Sequence, residues 1–168
     1  MPRKQTVQRA REARRQGKAP TTQAGEFVRE EIHKIRRGEH GARSPEQAIA
    51  IGLSQARRAG VDLPPPKRGR ASESTRRSAE YAYEAGQGKR RTKRQPRVSR
   101  AVKETLKHES TASASASALS EHARKAAAGR SAADRSAAAR KAARTKGATG
   151  RSAAAKKAAK TRARRRHA

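Results

Sequence analysis

The side chains with the greatest chemical reach in this 168-residue sequence are cations, 44 lysines and arginines against 14 aspartates and glutamates, for a formal charge of +30. Their spacing is most regular toward the end of the chain. The segment from Arg135 to Thr145 recurs sixteen residues later, from Arg151 to Thr161, with nine of eleven positions identical and both differences Arg to Lys. Placed on a helix at 100° per residue, Arg140, Lys141 and Arg144 cover one side, while Ala138, Ala139, Ala142 and Ala143 cover the other. The copy repeats the arrangement with Lys156, Lys157 and Lys160, and Arg162, Arg164, Arg165 and Arg166 follow it. A second cluster, Lys89 to Arg94, contains Arg90, Arg91, Lys93 and Arg94. Together with Arg135 and Arg151, these residues form the candidate nucleic-acid-binding set.

The chemistry such residues perform is neutralisation of phosphate. Each phosphate contacted releases counterions, so 6–10 contacts make affinity fall by about 10³–10⁵ between 50 and 200 mM salt. Reading base edges requires a rigid element that presents particular side chains. The Ala-rich repeat supplies no such scaffold, so binding without strong sequence preference is expected. A solvated, idle charge run is the blander reading; fourteen cations with one anion over residues 130–168, eight of them in a two-copy repeat, favour a polyanion partner.

Other chemistry finds little support in the residue types. There is no cysteine, and none of the five histidines (His33, His40, His108, His122, His167) has an i, i+4 partner on one helix for zinc. Gly86-Gln87-Gly88-Lys89 lacks the Walker spacing and a preceding strand. Glu30 and Glu31 are adjacent and so face different ways, matching Lys34 and Arg36 or Arg37 as ion-pair partners. Tyr81 and Tyr83 could stack on unpaired bases, but packing on their own helix is the simpler role. No catalytic residue, metal site or cofactor is expected, and the chain reads as non-enzymatic.

The elements that position these cations follow from charge and periodicity. Residues 1–20 (seven basic, one acidic) read as a basic disordered arm, and 21–63 (seven and six) as a helical hairpin unit. Within the hairpin, Thr21 or Thr22 caps a first helix carrying Val28, Ile32 and Ile35, with Gly38 as its stop. Ser44-Pro45-Glu46-Gln47 opens a second, with Ser44 as N-cap and Gln47 closing a capping box. Gly60 ends it, and Val61 and Leu63 fold back before Pro64-Pro65-Pro66. Residues 64–100 form a Pro/Arg/Lys-rich basic linker with a short helix around Ser74–Glu84. Residues 101–129 form short helices with an Ala/Ser linker, Val98, Val102 and Leu106 marking one of the helices. Residues 130–168 are an Ala/Lys/Arg-rich tail in which Gly147 and Gly150 separate the repeats. Each eleven-residue block falls short of the roughly 12–15 residues a helix needs in water, so the free tail is expected to be disordered and to become helical on a polyanion.

Two resemblances add to this. The Ala153–Lys160 segment makes the tail similar to the C-terminal domain of linker histone H1 and to bacterial H1-like proteins, which implies charge neutralisation and DNA compaction. Gly25-Glu26-Phe27-Val28-Arg29-Glu30-Glu31-Ile32, with Gln47-Ala48-Ile49-Ala50-Ile51-Gly52-Leu53-Ser54, resembles a family of small, basic, uncharacterised bacterial proteins. That likeness implies a bacterial, cytoplasmic setting and brings no site residues.

The resulting expectation is a mostly α chain with extensive disorder: a small helical hairpin, short isolated helices and no β-sheet. Its function would be sequence-nonspecific DNA binding in the nucleoid, on duplex DNA and possibly RNA, with no membrane role because no apolar run could span a bilayer. An RNA- or ribosome-associated basic protein is the alternative. So is a DNA-tethered adaptor in which residues 21–63 bind a protein partner or a second copy.

Overall fold

The computed structural model describes residues 2–91 and 95–166, and every regular element among them is helical. The chain divides into two units, residues 1–122 and 123–168. The first holds α1 (Lys4–Arg15), α2 (Pro20–Arg36), α3 (Pro45–Arg58), α4 (Glu73–Gly86), α5 (Pro96–His108) and a 3-10 turn at Thr111–Ala114. α6 (Ala116–Ala128) follows, and α7 (Ala132–Arg166) occupies the second unit.

The hairpin is built by local signals. α2 starts with Pro20 at its first position, so Thr21 and Thr22 lie inside the helix and do not cap it. It ends in a Schellman motif: Gly38 has φ +73°, its N–H donates to Ile35 O at 2.9 Å, and Glu39 N–H donates to Lys34 O at 3.1 Å. The Ser44 hydroxyl accepts from Gln47 N–H at 3.3 Å, while the Gln47 side-chain oxygen accepts from Arg43 N–H at 2.7 Å. The box therefore closes one residue upstream of Ser44. Gly60, at φ +85°, ends α3 in the same manner as Gly38 ends α2, with Val61 N–H donating to Ala56 O at 3.1 Å.

α2 and α3 run antiparallel. The start of α2 meets the end of α3 in a core of Ala24, Phe27, Ala56, Ala10 and Val61, flanked by Val7, Leu53 and Leu63. The end of α2 meets the start of α3 in a second core of Ile32, Ile35, Ala42, Ala48 and Ala114, flanked by Val28 and Leu119. Alanine supplies six of the ten buried positions in these two cores, so the helices approach closely and a chain with one phenylalanine still fills its interior.

Extensive disorder is not what the structure contains, and three segments correct that expectation. The arm at 1–20 is the ordered helix α1 on α2. Its buried face is Thr6, Ala10 and Ala13, so the apolar periodicity was carried by small residues beside one valine. Ion pairs secure it: Arg3 to Glu30 at 3.0 Å and to Glu39 at 2.9 Å, and Arg9 to Glu26 at 2.9 Å. The Ala/Ser run also is not a linker. Ser113 and Ala114 are buried, Arg36 Nε donates to Ala114 O at 2.8 Å, and α6 begins at Ala116. Alanine presents nothing to a sheet face, but it fits where two helices leave room for a methyl group.

The tail is the third correction, since α7 is helical on both sides of Gly147, whose φ of 65° and ψ of 177° break the helix. The helical runs extend past the eleven-residue repeats, from 132 to 146 and from 148 to 166, and reach the length at which alanine's propensity suffices. Ser131 helps: its hydroxyl accepts from Asp134 N–H at 3.0 Å and donates to the Asp134 carboxylate at 2.9 Å. Gly147 forms the break and Gly150 stays helical.

Candidate nucleic-acid interface

The tail cations divide between the two runs of α7. Arg140, Lys141 and Arg144 project from one side of the first, with Lys156, Lys157 and Lys160 equivalent on the second. These six are exposed, as are Arg135, Arg151, Arg162 and Arg164. Arg165 and Arg166 complete the helix. Two arginines also serve the backbone. Arg135 donates to Arg130 O, and Arg151 donates to Ala143 O at 2.8 Å, across the Gly147 break. No residue from 132 to 164 is buried, so a polyanion would reach these cations without uncovering a core.

The upstream cluster is less uniform. Arg90 lies 4.9 Å from the Tyr81 ring centroid and 3.3 Å from the Glu84 carboxylate, so its guanidinium is already engaged. Arg91 is exposed outside any helix, and Lys93 and Arg94 lie outside the described residues. The tyrosines are engaged too. Arg90 covers a face of Tyr81, and the Tyr83 hydroxyl donates to Asp62 at 2.7 Å, tying α4 to the chain beyond α3. His33 is exposed, and among the described residues no group of three or more His, Asp or Glu could hold a metal ion.

No family model, curated protein or solved structure matches this chain.

Acidic residues in the first unit are largely consumed by its own cations. Glu31, almost fully buried, receives Gln55 Nε2 at 2.8 Å, Lys34 at 3.6 Å and His40 Nε2 at 3.2 Å. Glu30 pairs with Arg37 at 3.4 Å as well as with Arg3. Of the two arginines expected as alternatives, Arg37 is thus the one that pairs, while Arg36 turns to Ala114 O. On α4, Glu73 holds Arg76 at 2.8 Å and Arg77 at 3.3 Å. Sequence reasoning missed the fixed spacing of the α1 cations; Val7, Ala10 and Ala13 were the available signal.

Two carboxyls of the first unit, Glu46 and Glu73, are held in their charged form by their neighbours. Glu46 is lowered to about 2 by its own backbone N–H, then by the Ser44 hydroxyl and by His122, whose Nδ1 is 2.7 Å away. Glu73 is lowered to about 2, chiefly by Arg76. Both lie below the ordinary value of 4.5, so their contribution is present above that pH and is lost as the pH falls toward 2. Thermal unfolding followed by circular dichroism is expected to show a midpoint that declines across that window. A midpoint flat from pH 5 to pH 2 would contradict these pairings.

Among the described residues no helix is long and apolar enough to cross a membrane.

Proposed function

We propose that this protein binds duplex DNA without strong sequence preference, in a non-enzymatic, nucleoid-associated and H1-like role. The observation that carries the reading is the tail: fourteen cations and one acid over residues 130–168, on helical runs with no buried residue between 132 and 164. Charge of this density lowers its own repulsion by replacing the counterions of a polyanion. Arg90 already lies over the Tyr81 ring, which leaves that ring less available as a stacking platform for unpaired bases and favours a duplex over single strands.

A gel-shift series on three duplexes of unrelated sequence tests this. Affinities should agree within a few-fold and decline linearly in log–log form with salt, by about 10³ or more between 50 and 200 mM. One duplex preferred a thousandfold over the others would overturn nonspecific binding. Retention on cellular nucleic acid that RNase abolishes and DNase leaves intact would assign the protein to RNA.

A DNA-tethered adaptor is the second reading, and one observation favours it. The α2–α3 hairpin lies against α1 and α4. The exposed apolar stripe is instead on α5, where Val98 and Val102 are each 54% exposed and no residue is buried. A partner that survives both nucleases and is lost in Val98→Ser/Val102→Ser would support that role.

A further inference from the structure

The charge of the first unit is sorted onto one helix. α1 carries five cations (Lys4, Arg9, Arg11, Arg14, Arg15) and one acid, whereas α2 carries three of each and α4 three acids against two arginines. The cations of α1 are divided by direction. Arg9 takes Glu26, and Arg3, just before the helix, takes Glu30 and Glu39. Thr6, Ala10 and Ala13 face inward, so Lys4, Gln8, Arg11 and Arg15 form the opposite face. No acid is paired with Lys4 or Arg11 among the described residues, and Arg15 reaches Glu12 only at 3.9 Å. An open depression on this helix is lined by Gln8, Arg9, Arg11, Glu12 and Arg15, three guanidinium groups with one carboxylate and one amide, so the cations outnumber the acid there.

A merely solvated face would mix charges of both signs, as α4 does. A face that keeps its cations while flanking arginines absorb the nearby acids is arranged for an external anion. Lys4, Arg11 and Arg15 span roughly 16 Å along a rigid helix, about half a turn of duplex. Unlike the tail, α1 belongs to a packed unit, so these charges are held at fixed spacing.

We propose that the outer face of α1 is a second, independent phosphate-binding surface, so that each chain holds two duplex segments, one by the tail and one by the folded unit. This rests on the reading of the tail as a duplex-binding element. Bivalency of this kind converts a coating protein into one that links DNA segments.

Capture of a second duplex by the full-length protein is the test. One duplex is tethered to a bead, protein is added, and retention of a free fluorescent duplex is measured. Wild type is expected to retain it. Lys4→Gln/Arg11→Gln removes two contacts, so capture should weaken roughly tenfold or more at 0.15 M salt while loading on the tethered duplex persists. The charge-matched control is Arg76→Gln/Arg77→Gln, which removes two cations already paired with Glu73 and Glu80 and should change capture little. Capture unchanged in the α1 variant, or reduced equally in both variants, would overturn the proposal and leave tail binding standing. Failure of wild type to load on the tethered duplex would overturn the underlying DNA reading itself.

Discussion

Replacing Arg140, Lys141, Arg144, Lys156, Lys157 and Lys160 together with glutamine is expected to lower duplex affinity by about four orders of magnitude at 0.15 M salt. The size follows from counterion release. Each phosphate contact contributes about 0.9 to the log–log salt slope, so six lost contacts flatten it by about 5. The choice of residue isolates charge from structure. Glutamine has nearly the helix propensity of lysine and arginine, and none of the six positions is buried, so α7 should keep its helical signal. Gel shifts across a salt series and circular dichroism of the same variant give both readouts. An unchanged salt slope with intact helicity would remove the tail from the interface.

The second large effect concerns the folded unit. Gly52→Leu is expected to cost about 3 kcal/mol or more. A Cβ at Gly52 would stand 2.6 Å from Val28 Cα and 2.9 Å from Val28 N, so it meets backbone, which cannot rotate away. Even Gly52→Ala should destabilise, although alanine gains about 1 kcal/mol in helix propensity, because the α2–α3 contact must open to admit the methyl. Gly25→Ala is the matched control: it lies in α2 with nothing within 4 Å of its Cβ position, so there the propensity gain should appear as stabilisation. In thermal unfolding, the leucine variant should fall by roughly 10 °C or more. A midpoint equal to wild type would mean that the two helices do not cross at Gly52.

Part of this architecture was legible in the residue order because its causes are local. Gly38 and Gly60 end helices by adopting positive φ, and Ser44 with Pro45 opens one by satisfying a free N–H. Val98, Val102 and Leu106 marked α5 by spacing alone. What escaped were elements whose buried faces are made of alanine, serine and threonine. Thr6, Ala10 and Ala13 in α1, and Ser113 with Ala114 in the 3-10 turn, carry too little apolar area to stand out in a periodicity. Ala10 is buried in the core built around Phe27, and Ala114 in the one built around Ile32 and Ile35. Arg57 is a similar case. Its side chain is buried, with Nε donating to Leu63 O at 3.0 Å and a terminal nitrogen 3.4 Å from Pro64 O, which brings the proline segment back along α3.

The sequence by itself determined the helical class, the helix stops at Gly38 and Gly60, the charge of +30 and the repeated spacing of the tail cations. These depend on backbone preference and residue type, which act over a few positions. Only the tertiary structure decided that residues 4–15 are a helix packed on α2, that Arg90 is occupied by Tyr81 and Glu84, and that Gly52 is a point of helix contact. It also decided which cations of the first unit are ion-paired and which are not. Ion pairs such as Arg3 with Glu39 and Arg9 with Glu26 join residues distant in sequence, and only the packing of one helix against another brings them within reach.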